Sequence, residues 1–345
     1  MATKPPVEVP QGAIRLNTDS QKLEFFAQDQ WWEMATDVPT LDGGTRAVFM
    51  GGFRDQPVNN TSFNTIDYIT IASAGNALDF GDLYDTVFDG AANISSRTRQ
   101  FTYMGRAGGA NPSDATNTIA FIKYSTKGNS QDFGDATDSL YYRPAGLSSA
   151  TRGVRAGGSN NPGTGGVNTM DYITMAAEGN AVDFGDLATA KLRYGGGLPS
   201  PTRGIFLWGN SHPAYVNTME YITIASTGNA HDFGDLVTGV GGGMAAGNST
   251  RGIATSKDGD LTQSIQISTL GNAINFGTLS TTRNSVSMTS SPTRAIAAGG
   301  VISPNTYSNI IDYVSIQTHG KAVDFGDLTV NRHTDNSGSN AHGGL

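Results

Sequence analysis

The apolar residues fall in strand-sized runs closed by glycine or by short polar turns, and the runs repeat. The segment NTIDYITIASAGNALDFGDL (64–83) returns in altered form at 117–136, 168–187, 217–236, 261–279 and 309–328. Its aromatic anchors are Phe80, Phe133, Phe184, Phe233, Phe276 and Phe325, separated by 53, 51, 49, 43 and 49 residues. A Thr-Arg pair precedes every copy, the arginine being Arg46, Arg99, Arg152, Arg203, Arg251 or Arg294. Within the first copy Ile66 and Tyr68 face one side of a strand and Ile69 and Ile71 the other, because successive side chains alternate. A sheet apolar on both faces has to be covered on both.

Each copy holds four strand-sized pieces. In the fourth they are RYGGGLP (193–199), RGIFLWG (203–209), TMEYITIA (218–225) and NAHDFGDL (229–236), the last entered through a Thr-Gly-Asn turn. Four-stranded sheets recurring roughly every 50 residues, each sandwiched between copies of itself, predict a β-propeller of kelch-like repeat length. A two-sheet sandwich would leave one face polar, and an open solenoid would need atypical capping repeats. The ends predict the number of blades. From the last residue of the fourth piece (Leu83, Ala136, Leu187, Leu236, Leu279) to the next marker arginine is 16, 16, 16, 15 and 15 residues. The same count of 16 from Leu328 reaches Gly344. Residues 329–345 therefore have the length of a first strand, whereas the first copy starts with its second strand at Thr45. The expected fold is all-β: a six-bladed, kelch-like β-propeller over 37–345, closed by the C-terminal strand, which removes two open sheet edges.

Residues 1–36 read differently and form a separate expected domain. After an extended, Pro- and Val-rich start, the runs AIRL, KLEFFA and QWWEMA within 12–36 predict a small β-meander. So small a sheet is marginal in water by itself. Yet it carries Phe25, Phe26, Trp31 and Trp32, which must pack on the propeller, on another copy or on another protein. These four are the candidate attachment or self-association residues.

Composition narrows the function. Gly is 45 of 345 residues, 25 of the 30 acids are Asp, and only 7 residues are Lys, a balance that favours turns over helices. A net charge of −8 argues against a nucleic-acid-binding surface, and the lack of Cys excludes disulfides, thiol nucleophiles and thiolate metal sites. No apolar run is long enough to predict a membrane span, and MATKPPVEVP has no apolar core of a secretory signal.

The repeated motifs have both a chemical and a structural reading. Asp-Phe-Gly-Asp occurs five times, without the glycine loop, lysine and catalytic loop that a kinase requires. Its expected roles are a core anchor (Phe), a bulge or close approach (Gly) and turn caps (Asp). Two carboxylates per blade fall short of a calcium shell, and no metal or cofactor is expected. The marker arginines could suggest a carboxylate-gripping cluster. Their presence in every blade instead predicts a fold requirement: hydrogen-bonded pairing with turn carbonyls or with a carboxylate, Asp79 and its equivalents being candidates. His212, His231, His319, His333 and His342 lack metal-ligand spacing, and no nucleophile elbow, zincin or Walker motif is present. No catalytic residue is expected.

The NTIDYITIASxGNAxDFGDL units resemble the kelch-like repeats of structural proteins of tailed phages, cyanophages in particular. The opening GAIRLNTDSQKLEFF…QWWE is similar to short N-terminal modules of phage tail-fibre and virion proteins. The fifth copy departs from the pattern, with Asn275 and Thr278 in place of the two Asp and Ser264 in place of the aromatic. The resemblance implies a non-enzymatic virion protein (tail fibre, tail-associated or capsid-surface), joined to other virion proteins through 12–36. The alternative is a propeller that binds or degrades host surface polysaccharide. Any external partner, a host glycan or protein, is expected on the segments between second and third strands: 53–63, 106–116, 159–167, 210–216, 257–261 and 301–308. These carry Phe53, Phe63, His212, Tyr215 and Tyr307 as exposed-type residues suited to stacking.

Overall fold

A computed structural model describes residues 9–17, 22–33, 45–54, 61–87, 91–106, 115–140, 142, 144–159, 165–191, 195–208, 216–239, 245–256, 261–302, 306–334 and 336–345. The chain divides into two compact units, Met1–Asp42 and Gly43–Leu345. Among the described residues there is no helix; the structure is all-β and antiparallel.

In the first unit, β1 (Ile14–Asn17), β2 (Lys22–Ala27) and β3 (Gln30–Glu33) form one sheet in that order. The meander expected from the sequence is present. Gln28 and Asp29, both at positive φ (52° and 59°), make the tight turn between β2 and β3.

The second unit opens with β4 (Arg46–Met50), β5 (Phe53–Arg54), β6 (Thr61–Thr70) and β7 (Leu78–Val87). Four-stranded sheets then follow. Sheet II is β8 (Ala91–Ser95), β9 (Arg99–Tyr103), β10 (Thr116–Lys123) and β11 (Gln131–Leu140). Sheet III is β12 (Ala145–Ser148), β13 (Arg152–Ala156), β14 (Val167–Thr174) and β15 (Val182–Lys191). Sheet IV is β16 (Gly196–Pro199), β17 (Arg203–Leu207), β18 (Thr218–Thr223) and β19 (His231–Asp235). Sheet V is β20 (Ala245–Gly247), β21 (Arg251–Thr255), β22 (Leu261–Gln266) and β23 (Ile274–Thr278). Sheet VI is β24 (Ser287–Ser290), β25 (Arg294–Ala298), β28 (Ile310–Ser315) and β29 (Val323–Asp327), with β26 (Val301–Ile302) and β27 (Thr306–Tyr307) paired between its second and third strands. The last strand, β30 (Asn336–Ser339), pairs with β4 and so completes sheet I, β30-β4-β6-β7, with β5 added beside β6. The pairing expected between the tail and the strand near Thr45 is therefore present, with Asn336 opposite Met50 and Ser339 opposite Ala47.

Both faces of each sheet are covered, as the apolar alternation requires. Val48, Ile66 and Phe80 of sheet I pack on Ala120 and Ile122 of sheet II, while Phe49, Ile69 and Ile71 pack on Ile296, Ile311 and Phe325 of sheet VI. Equivalent cores join II to III, III to IV, IV to V and V to VI. The described residues of the first strands are small and almost all buried, so that these strands lie close together. Such an arrangement of four-stranded antiparallel sheets is compatible with a β-propeller.

Candidate functional site

The marker arginines share a pattern of contacts. In five of the six the guanidinium lies over the aromatic of its own third strand: Arg46 over Tyr68, Arg99 over Phe121, Arg152 over Tyr172, Arg203 over Tyr221 and Arg294 over Tyr313, at 4.3–5.0 Å from the ring centroid, while Arg251 has Ser264 there. Nη1 then donates to a backbone carbonyl of the following sheet. Arg46 reaches Tyr124, Arg99 Met175 (3.3 Å), Arg152 Ile224 (3.0 Å), Arg203 Ile267 (2.9 Å) and Arg251 Ile316 (3.0 Å). Arg294 of sheet VI donates to Ile71 of sheet I at 2.8 Å. Of the two partners expected, the turn carbonyl is the one used. Asp79 and its equivalents are exposed and do not pair with the arginines. The reason is alternation: Asp79 stands opposite Asp67, whereas the arginine stacks on Tyr68, which points to the other face.

The Asp-Phe-Gly-Asp segments are used for contacts between sheets. Phe80, Phe133, Phe184, Phe233, Phe276 and Phe325 are buried at 2–4% exposure. The glycine sits at a register shift against the third strand, and its Cα faces the Gly-Asn turn of the next sheet. A Cβ on Gly81, Gly134, Gly185 or Gly326 would lie 2.4–2.5 Å from a carbonyl oxygen of that turn. The second Asp contributes its backbone: Asp82, Asp135, Asp186, Asp235 and Asp327 donate N–H to Asn129, Asn180, Asn229, Asn272 and Asn76, all at 3.0–3.1 Å. The turn's asparagine is thus the capping group, and the aspartate supplies the N–H that it caps.

The structure adds a buried charged constellation that is not among the residues expected from the sequence. The third strands carry Asp67, Asp171, Glu220 and Asp312 in the middle of their apolar runs, all at most 4% exposed. Arg332 binds Asp67 (3.0 Å), Arg155 binds Asp171 (Nε to Oδ1, 2.9 Å), Lys191 binds Glu220 (3.3 Å) and Arg283 binds Asp312 (2.7 Å). The link from the preceding sheet adds donors: Thr329 to Asp67, Thr137 to Asp171, the Ala188 N–H to Glu220, and Ser280 to Asp312. Burial and the adjacent Asp171 carboxylate push the Tyr103 hydroxyl well above its usual pKa, and it remains a donor to that carboxylate. A signal for these pairs exists within the chain. Lys191, Arg283 and Arg332 stand four residues after the leucine closing the preceding fourth strand; Val87 and Val240 stand there where the next third strand has Ala120 or Gln263. Leu140 is the exception, and there Arg155 of β13 supplies the charge.

In the N-terminal sheet the four aromatics separate by face. Phe26 and Trp31 meet edge to face at 5.3 Å, and Arg15 lies 4.1 Å above Trp31 while pairing with Glu24 at 2.7 Å. Hydrogen bonds from Asn17 and Arg15 hold the Glu24 carboxyl below its ordinary pKa. Phe25 and Trp32 are cross-strand partners on the opposite face, which they share with Ile14 and Leu16. All four are exposed there: Ile14 64%, Leu16 60%, Phe25 37% and Trp32 43%.

The residues expected to offer an exposed stacking surface do not do so as a set. Phe53 and Tyr307 are buried, 6.4 Å apart and edge to face, with Phe53 also against His333 at 4.9 Å. The exposure expected of them is not realised because β5 and β27 turn these segments into short paired strands that fold back on the sheets. Phe63 is half-buried within β6, with Arg54 5.7 Å from its ring. His212 and Tyr215 lie outside the described residues. Among the described residues no three His, Asp or Glu side chains converge as metal ligands would. No protein-family model and no curated protein matches the chain.

Proposed function

We propose that the chain is a non-enzymatic virion component of a tailed phage, in which a six-bladed, kelch-like β-propeller closed by its C-terminal strand accompanies an N-terminal attachment sheet. One observation carries the scaffold part of this reading: each marker arginine is committed to a carbonyl in the next sheet, five of the six also to an aromatic in their own sheet, and Arg294 directs its carbonyl bond from sheet VI to sheet I. Groups that could have gripped a ligand serve to hold neighbouring sheets. The virion assignment rests on the resemblance of the repeat and of the N-terminal module to phage structural proteins. The uncharged outward face of Ile14, Leu16, Phe25 and Trp32 supports the attachment role, because exposed apolar clusters mark interaction sites.

Mass spectrometry and immunogold labelling of purified particles test this reading, and a fixed stoichiometry at one position on the particle is the expected result. Phe25→Ser with Trp32→Ser should remove the protein from particles while leaving the Gly43–Leu345 unit folded. Turnover of host polysaccharide by the purified chain, or its absence from the particle, would overturn the assignment.

A further inference from the structure

The five complete sheets share one turn between first and second strands. The side-chain oxygen of Ser96, Ser149, Ser200, Asn248 or Ser291 accepts from the marker arginine N–H at 2.8–3.2 Å. In sheet I the same bond joins two distant parts of the chain: Arg46 N–H donates to Asn340 Oδ1 at 3.0 Å, and Asn340 N–H donates to the Arg46 carbonyl at 3.3 Å. Asn340 therefore completes a hairpin that has no covalent turn. Beyond it the tail enters the space between the first strands of other sheets. Gly343 N–H donates to the Gly247 carbonyl (3.0 Å), and a Cβ on Gly344 would lie 2.0 Å from the Ser148 carbonyl oxygen.

His342 is buried at the centre of this segment and is held as one tautomer. Its Nε2 lies 2.8 Å from the Ser95 carbonyl, which can only accept, so Nε2 carries the proton. Its Nδ1 accepts the Gly344 N–H at 3.1 Å, which requires that nitrogen to be unprotonated. Ser148 Oγ, 3.3 Å from Nε2, itself donates to Ser95 O at 2.8 Å. The strands packed around the ring line the site with serine, asparagine, threonine, glycine, proline, alanine and methionine; none of these lining residues is ionisable. An imidazolium here would set N–H against N–H at Gly344, and these lining residues offer it no carboxylate.

We propose that residues 340–345 form an acid-released latch, in which proton uptake by His342 unseats this segment and loosens the β30–β4 seam. Burial depresses the His342 pKa from 6.5 to about 4. The neutral ring favours the seated tail, so the latch is fully held above pH 6.5 and weakens as pH falls from there toward 4. A released histidine with an ordinary pKa then raises the opening equilibrium roughly a hundredfold between pH 7 and pH 4.

Hydrogen exchange of the full chain, read by mass spectrometry and corrected for intrinsic rates, tests the latch. Between pH 7 and pH 4.5 the expected loss of protection is confined to 336–345 and 46–50, and returning to pH 7 restores it. His342→Gln should keep the seam protected across the range, and His342→Arg should open it already at pH 7. Loss of protection spread evenly over all the sheets, no loss in the wild type, or the same acid profile in His342→Gln would overturn the proposal. The wild-type profile decides the matter even where a variant fails to fold.

Discussion

A marker arginine contributes twice, through its aromatic platform and through the carbonyl that it binds, and one repeat lacks the platform. Arg294 lies 4.7 Å from the Tyr313 ring and donates to Ile71 and Ala72, whereas Arg251 has Ser264 where the others have an aromatic and keeps the equivalent bonds to Ile316 and Gln317. Arg294→Ala should therefore cost about 2 kcal/mol and Arg251→Ala about 1 kcal/mol, the difference being a part-exposed cation–π contact. Urea midpoints of the two variants, measured side by side, check this; equal shifts would leave the ring with no energetic part. The buried acids predict a larger effect. Asp171→Ala leaves Arg155 buried without its counter-charge and should cost about 3–5 kcal/mol, while Asp171→Leu combined with Arg155→Met should cost less than either change alone. These acids were not legible one at a time, because an Asp inside Ile-Asp-Tyr-Ile reads as the polar face of a strand and its partner lies in another part of the chain. For Asp67 and Arg332 that separation is 265 residues. Only comparison of the copies with one another, acid against cation, reveals the pairing.

At the scale of elements, the contact between one sheet's fourth strand and the next sheet's Gly-Asn turn decides which glycines are required. Gly185 sits at φ 140° and a Cβ there would come 2.5 Å from the Gly228 oxygen; Gly179 sits at φ 156° with nothing within 4 Å of the same position. Both substitutions strain the backbone, but only Gly185→Ala also pushes two sheets apart. Gly179→Ala is expected to cost about 1–2 kcal/mol and Gly185→Ala clearly more, as read by thermal melting. Equal costs would mean that the close approach relaxes freely. These turns also protect the outer strands: Gly128 and Ser130 donate N–H to the Phe80 and Asp82 carbonyls, using part of an edge that would otherwise be free to pair. Strand-sized runs, the glycine-bearing bulge and the covered faces were all legible, because each repeats six times with little change. The segments around Phe53 and Tyr307 were not. Each occurs once and folds as a short strand pair that no periodicity announces, so two aromatics read as exposed are packed together. In the N-terminal sheet the four aromatics were legible as a group. Their division, with Trp31 under Arg15 and Trp32 outward, follows only from the register.

At the scale of the whole molecule, the count of 16 residues beyond Leu328 correctly placed a strand in the tail, because the links between sheets are nearly constant in length. The tail does more than fill an edge. Arg332 and Thr329 both bind Asp67, Arg332 Nε donates to the Gly51 carbonyl at 2.9 Å, and β30 pairs along β4. Removing 329–345 would therefore expose the edge of β4, uncover the first-strand contacts of the neighbouring sheets, and leave Asp67 a buried carboxylate without its cation. The last loss alone is worth about 3–5 kcal/mol, a large fraction of the 5–15 kcal/mol that stabilises a typical domain. A chain ending at Leu328 is expected to lose the cooperative melt of the Gly43–Leu345 unit, and adding a synthetic 329–345 peptide should restore it, because the hairpin it completes is already non-covalent. The same peptide carrying Arg332→Ala should restore it only at higher concentration. Circular-dichroism melts of the truncated chain, alone and across a titration of each peptide, measure both effects. A truncated chain that melts like the full one would show that sheet I does not need its last strand.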